Sequence, residues 1–119
     1  MFSSCSTAKQ ASPEILRPLS DETVICGKSL ALKCDVKGNP CPMIVWRKDS
    51  RIIGNTKDFR QTYQDVTAKL QINDIHKEDS GCYECVARNV YGAISTKCSV
   101  VVEGKYIFSV LIHKIQCIR

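Results

Sequence analysis

The sequence predicts an all-β fold in which two antiparallel sheets pack as a sandwich. Short segments alternate apolar and polar residues at the period of a β-strand, and Gly, Pro, Asn and Asp residues mark turns between them. Before residue 104, no segment requires a helix longer than one turn. The 119 residues have the length of a single domain with a core of its own.

The N-terminal part of the chain predicts an arm followed by an edge strand. Residues 1–12 are small and polar, which is typical of a flexible arm. Residues 15–24 form a predicted first strand, which Pro18 interrupts. Because an edge strand needs no ladder hydrogen bond at that position, the proline places this strand at the edge of a sheet.

The remaining strands are predicted from the alternation of their side chains. Six segments continue the pattern, namely 29–34, 44–47, 59–63, 68–72, 82–88 and 95–102. Because successive side chains on a strand point to opposite faces, one set of residues must face the core. This set comprises Leu30, Leu32, Cys34, Ile44, Trp46, Leu70, Ile72, Tyr83, Cys85, Ala87, Cys98, Val100 and Val102.

Residues 104–119, GKYIFSVLIHKIQCIR, form an apolar C-terminal tail whose structure the periodicity leaves open. The stretch fits both a strand and a helix in part. It carries Lys114 and Arg119 and is shorter than the roughly 20 residues that cross a bilayer, so we expect no membrane span. The tail docks on the sandwich, lies on a partner, or is an alternative chain ending.

Composition and charge limit the classes of function. The net charge is only +5, and the 17 Lys and Arg residues are scattered along the chain, so we expect no nucleic acid partner. Residues 1–20 hold no apolar run of signal-peptide length, and no Asn-x-Ser/Thr site occurs. We therefore expect a cytoplasmic protein, whereas a fragment of a secreted protein would be extracellular or at the cell surface.

The chain lacks residues arranged for catalysis. Its two histidines, His76 and His113, have no nucleophile or paired carboxylate placed beside them by the local sequence. Glycine is too sparse for a phosphate-binding loop. We expect no enzymatic activity, no cofactor and no metal.

Cys82 and Cys85 lie within a predicted strand, in the segment DSGCYEC. Side chains three positions apart on a strand point to opposite faces, so these two thiols do not share a metal ion. A redox-active Cys-x-x-Cys motif places its first thiol at a helix N-terminus, unlike this one. We predict that Cys85 faces the core and Cys82 faces outward.

Three sequence landmarks follow one another along the chain. The first is Cys34 and the second is Trp46. The third is an Asp-x-Gly-x-Tyr-x-Cys motif made of Asp79, Gly81, Tyr83 and Cys85. This order resembles the immunoglobulin superfamily. The segments GKSLALKC, GNPCPMIVWRKD and LQINDIHKEDSGCYECVARNVYG most resemble its I-set domains, as in titin, myosin light chain kinase and palladin. The resemblance covers about residues 13–103.

The resemblance implies a Greek-key immunoglobulin-like sandwich with a set of structural residues: Cys34, Trp46, Leu70, Asp79, Gly81, Tyr83 and Cys85. By resemblance, the Tyr83 hydroxyl bonds to backbone in the preceding connection, and Gly81 leaves room for that corner. A Cys34–Cys85 disulfide in an oxidising compartment would stabilise the domain by roughly 4 kcal/mol. In a reducing compartment both residues stay buried thiols against Trp46.

Cys26, Cys41 and Cys82 depart from the family pattern. One interpretation makes all three surface or half-buried thiols. A second interpretation pairs Cys26 with Cys82, since both are expected at one end of the sandwich. Cys5 and Cys117 fall in the predicted arm and tail, and no structural role is assigned to them.

Function is expected on protein-binding surfaces. One outer sheet face has an apolar centre flanked by charge, and its candidate residues are Val45, Arg47, Glu84, Val86, Arg88 and Lys97. Scattered valines are also ordinary on a solvated sheet. Edge strands offer a second binding mode. By resemblance, the partners are cytoskeletal or sarcomeric proteins; the alternative is an extracellular adhesion or receptor domain with cell-surface partners.

Overall fold

The computed structural model describes residues 9–104, which fold into nine β-strands and one turn of 3₁₀ helix. The strands are β1 (Ala11–Arg17), β2 (Glu22–Ile25), β3 (Leu30–Asn39), β4 (Met43–Lys48), β5 (Arg51–Ile52), β6 (Phe59–Gln64), β7 (Thr67–Ile72), β8 (Gly81–Asn89) and β9 (Gly92–Glu103). The 3₁₀ turn, Lys77–Asp79, precedes β8. The predicted all-β fold class is confirmed. Residues 1–8 of the predicted arm and 105–119 of the predicted tail lie outside the described residues.

The strands form two sheets. One has four strands in the order β1-β3-β7-β6, all antiparallel, and the other has five in the order β2-β9-β8-β4-β5. Among the described strands only β2 and β9 pair in parallel, so the second sheet is mixed at that edge. Because β3 and β4 follow each other in the chain but lie in different sheets, the chain crosses the sandwich between them, as in a Greek key.

The predicted first strand, residues 15–24, is in fact two strands in different sheets. β1 pairs with β3, whereas β2 pairs with β9. Pro18 lies in the break, because it has no N–H to donate to a ladder. The backbone N–H of Leu19 donates instead to Thr96 Oγ1 at 3.1 Å, which ties the crossing segment to β9. β1 begins at Ala11, earlier than the predicted domain boundary at residue 13.

A two-residue turn, Asp49–Ser50, joins β4 to β5. Lys48 and Arg51 pair across it, and both central residues have positive φ, 49° and 73°. This is the type I′ geometry that matches the twist of antiparallel strands. The turn also brings the Asp49 carboxylate to the start of β8, where Oδ1 accepts the Cys82 N–H at 3.0 Å.

The core lies between the two sheets. It contains the side chains that the alternation of apolar and polar residues predicted to face inward. Of that set, Leu30 and Ile44 are partly buried and all the others are buried. The alternation did not predict a further group of buried residues, which comprises Leu19, Cys26, Val36, Ala68 and Ile75. Val36 escaped prediction because β3 continues to Asn39, well past the predicted end of this strand at residue 34.

Tyr83 of the Asp-x-Gly-x-Tyr-x-Cys motif fixes the connection before β8 by a hydrogen bond. The Tyr83 hydroxyl donates to the backbone carbonyl of Asp79 at 2.6 Å, in the buried interior. One carboxylate oxygen of Asp79 accepts the backbone N–H of His76 at 2.8 Å, which closes the 3₁₀ turn. The corner therefore forms as the resemblance implied, with Asp79 capping the same turn.

Replacing Tyr83 with phenylalanine tests this corner. Tyr83→Phe removes the donor to a buried carbonyl, so we expect the free energy of unfolding to fall by about 1–3 kcal/mol with an unchanged denaturant m-value. Tyr91→Phe is the matched control, because the Tyr91 side chain is exposed and should change stability by about 0.5 kcal/mol at most. Equal effects of the two substitutions in urea denaturation would contradict the role of the corner.

Candidate protein-binding face and the core that positions it

Cys34 and Cys85 meet between the two sheets. Cys34 lies on β3 of the four-stranded sheet and Cys85 on β8 of the five-stranded sheet, and their Sγ atoms are 3.1 Å apart. Trp46 pairs with Cys85 across the β4–β8 ladder, and all three side chains are fully buried. Both cysteines are thiols in this structure, side by side where a bridge between the sheets would form.

Two of the buried thiols, Cys85 and Cys98, have raised pKa values. The hydrogen bond with Cys34, followed by burial, raises the pKa of the Cys85 thiol. Burial, with Asp21 nearby, raises the pKa of the Cys98 thiol to about 11. Because the thiolate is the reactive form, neither Cys85 nor Cys98 is a nucleophile at neutral pH.

The second interpretation, which pairs Cys26 with Cys82, is wrong. Cys26 is only 2% exposed and packs in the core, whereas Cys82 is exposed, and the two are not bridged. The reason is the alternation along β8, which turns Cys85 inward and Cys82 outward. The first interpretation made Cys26, Cys41 and Cys82 surface or half-buried thiols. The exposed Cys41 agrees with this interpretation, whereas the buried Cys26 contradicts it. Cys5 and Cys117 lie outside the described residues.

Gly81 makes room for an acidic side chain that sequence reasoning missed. Its φ is +156°, and a Cβ there would lie 2.7 Å from Asp49 Oδ2. Two hydrogen bonds join Asp49 and Cys82. The Asp49 N–H donates to the Cys82 carbonyl at 2.8 Å, and the Asp49 carboxylate accepts the Cys82 N–H. That accepted N–H lowers the pKa of the Asp49 carboxyl. The space at Gly81 therefore serves Asp49, and the Asp49-Ser50 turn signal was the only hint of this contact in the sequence.

An alanine at this position tests the requirement for glycine. Gly81→Ala places a Cβ against the Asp49 carboxylate and at an unfavourable φ, so we expect a loss of about 1–3 kcal/mol in the free energy of unfolding. Gly54→Ala is the control, because a Cβ at Gly54 meets nothing within 4 Å. If chemical denaturation gave the two variants the same stability, the close approach of Asp49 would not constrain this position.

The six predicted face residues share the outer side of the five-stranded sheet, and we call this candidate surface the binding face. The ladders pair Val45 with Val86, and Arg47 with Glu84, which in turn pairs with Lys97. The two valines thus form an apolar centre beside a row of alternating charge. Arg88 and Lys97 are exposed, and the others are partly buried.

A shallow depression of about 300 Å³ lies on the binding face, and its lining consists of Arg47, Glu84, Val86, Arg88, Ala93, Ile94 and Ser95. It forms because Ala93 and Ser95 are small and lie opposite Arg88 and Val86 on the neighbouring strand. Sequence reasoning missed Ala93 and Ile94, since it began this strand at residue 95 and the ladder in fact starts at Gly92. The signal for this depression in the sequence was a hairpin in which small residues lie opposite larger ones.

The charge on the binding face is unbalanced. Arg47, Arg88 and Lys97 provide three cations, against the single carboxylate of Glu84. The Arg47 Nε is buried and has no hydrogen-bond partner among the described residues, so this part of the guanidinium lies covered on the sheet. The face thus presents positive charge around an apolar centre.

The immunoglobulin I-set domain model matches residues 13–102 of the chain. The chain belongs to the immunoglobulin I-set family. It is 41% identical to the muscle M-line assembly protein unc-89 of Caenorhabditis elegans over 96 residues, which are 80% of this chain and 1% of that protein. It is 31% identical to the neuronal cell adhesion molecule of Mus musculus over 106 residues, or 87% of this chain and 8% of that one.

Solved structures show the same architecture. The chain superimposes on a chimeric titin Z1Z2 structure with a TM-score of 0.79 and 28% identity, over 82% of this chain and 100% of that one. A complex of titin with an obscurin-like 1 immunoglobulin domain gives a TM-score of 0.78 at 27% identity, over 82% and 99% of the two chains. Within residues 9–104, no helix has the length and apolar character to cross a membrane.

Proposed function

We propose that this chain is a non-enzymatic protein-binding module of a cytoplasmic scaffold, of the cytoskeletal or sarcomeric I-set type. The observation that carries the proposal is the binding face, with its apolar centre, its depression and its excess of positive charge. Similarity to the muscle M-line assembly protein unc-89 and to the titin homolog of Caenorhabditis elegans, at 41% and 36% identity, supports the sarcomeric class.

The shape and charge of the binding face favour one kind of partner. Val86, Arg47 and Arg88 all line the depression. A partner that inserts a small apolar side chain between acidic residues would bury the valine and pair with the arginines. The two arginines suit this contact because their planar guanidinium groups bind carboxylates through two parallel hydrogen bonds.

Charge reversal at the binding face tests the proposal. We expect the wild-type chain to capture sarcomeric cytoskeletal proteins from striated-muscle extract, identified by mass spectrometry, and Val86→Glu and Arg88→Glu to weaken this capture by about tenfold or more. Lys28→Glu is the control, because Lys28 is exposed in the turn between β2 and β3, away from the face. Undiminished capture by both face variants would refute the assignment of this surface.

An extracellular adhesion or receptor domain is the second candidate. Its support is the 31% identity to the neuronal cell adhesion molecule, together with two core sulfurs that already lie 3.1 Å apart. The same sandwich accommodates a thiol pair or a disulfide, since Cys34 and Cys85 face each other in either case. The redox state in the native cell therefore separates the two candidates.

Thiol labelling of protein taken from its own cells makes this test. For a cytoplasmic module, we expect Cys41 and Cys82 to react in the folded state, and Cys34 and Cys85 to react only after unfolding, without added reductant. Mass spectrometry of the alkylated peptides reads out each site. Labelling of Cys34 and Cys85 that required reductant would reject the cytoplasmic assignment and favour the extracellular one.

A further inference from the structure

The outer face of the four-stranded sheet, opposite to the binding face, holds two lysines in direct register. Lys33 on β3 pairs with Lys69 on β7, and Thr62 on β6 continues the same row. Residues directly opposite each other on antiparallel strands have their Cβ atoms about 5 Å apart, and like charges in that arrangement repel. Unless a negatively charged group outside this row offsets the repulsion, the pair lowers the stability of the folded domain.

The neighbouring carboxylates do not offset it. Asp35 forms an ion pair with Arg17, whose Nε lies 3.2 Å from Asp35 Oδ2. Asp35 Oδ1 accepts hydrogen bonds from Arg17 Nη2 at 3.4 Å and from Thr67 Oγ1 at 2.7 Å. Glu14 lies 3.7 Å from Lys37. Among residues 9–104, neither Lys33 nor Lys69 forms an ion pair. Neither ammonium group therefore has a carboxylate within ion-pair distance among these residues.

These lysines line a depression of about 330 Å³, together with Arg17, Thr62, Gln64, Asp65 and Thr67. Thr62 and Gln64 are exposed and bring a hydroxyl and an amide to the same place. An oxyanion there would meet two positive charges and neutral hydrogen-bond donors beside them. The depression is large enough for one or two side chains of a partner.

We propose that this surface, which we call the lysine-pair site (Lys33, Lys69, Thr62 and Gln64), binds glutamate or aspartate side chains of an acidic peptide segment in a partner protein. Its occupant follows from charge complementarity, because a carboxylate between the two ammonium groups turns their repulsion into two ion pairs. The lysine-pair site lies on the other sheet from the binding face, so it serves a second contact that does not depend on the proposed function.

The acids around the site select a peptide over a continuous polyanion. Asp65 lines the same depression, and Asp35 lies on β3 two residues from Lys33. A nucleic acid, a sulfated polysaccharide or an anionic membrane would press its regularly spaced charges against these carboxylates. A peptide can place an acidic side chain at the lysines and a neutral residue beside Asp65.

Fluorescence anisotropy with a labelled synthetic peptide that alternates glutamate and serine tests the proposal. We expect the wild-type chain to bind this peptide at low ionic strength, to lose affinity as sodium chloride is added, and not to bind the glutamine analogue. Lys33→Gln together with Lys69→Gln should weaken binding by about tenfold. Lys69→Gln alone should leave the unfolding midpoint unchanged or raise it, because the repulsion is relieved, whereas a purely structural lysine would lower it.

Lys28→Gln is the matched control, because it removes the same charge from an exposed residue in the turn between β2 and β3, outside both surfaces. It should leave peptide affinity unchanged. Peptide binding and the capture of muscle proteins are separate measurements, so failure here and failure of the proposed function are told apart. Absence of wild-type binding, equal loss with Lys28→Gln, or full binding by the double variant would overturn the proposal. Tighter binding of heparin or phosphatidylserine vesicles through the same two lysines would overturn the assignment to a peptide.

Discussion

The contact between Cys34 and Cys85 across the interior is the constraint on which the rest of the structure depends. Each sulfur comes from a different sheet, and the Sγ atoms lie 3.1 Å apart beside Trp46. Because side chains alternate along a strand, an inward Cys85 commits Glu84 and Val86 to the outer side. The same holds on β4, where an inward Trp46 sends its two neighbours outward. The composition of the binding face is thus a consequence of the packing of the core.

The two outer surfaces of the sandwich have different chemistry. The binding face surrounds a pair of valines with cations and has a single carboxylate, whereas the lysine-pair site combines two ammonium groups with polar neutral residues. Packed sheets are about 10 Å apart, so the two surfaces are separated by the core and point in opposite directions. Two partners can therefore contact these two surfaces at once without steric conflict.

Prediction from sequence succeeded for features that depend on the short-range periodicity of a strand. It failed for features that depend on where the chain crosses from one sheet to the other. The inward set around Trp46 and Tyr83 follows from a period of two, which needs no knowledge of distant strands. Pro18 indicated a break in the first strand, but not that the chain then joins the other sheet. That crossing is shown by the pairing of β2 with β9 and by the hydrogen bond from Leu19 to Thr96. The Cys26–Cys82 pairing failed for a related reason, because nearness at one end of a sandwich does not determine which way a side chain points.

The sequence by itself determined the all-β class, the family and the outward position of the six candidate face residues, because alternation and the Cys, Trp, Cys order are local properties of each strand. Only the tertiary structure decided that Ala93 and Ser95 open a depression there, that Asp49 occupies the space at Gly81, and that Lys33 lies opposite Lys69. Each of these depends on the register between strands. Register is set by turns and packing over the whole sheet, so no segment read alone contains it.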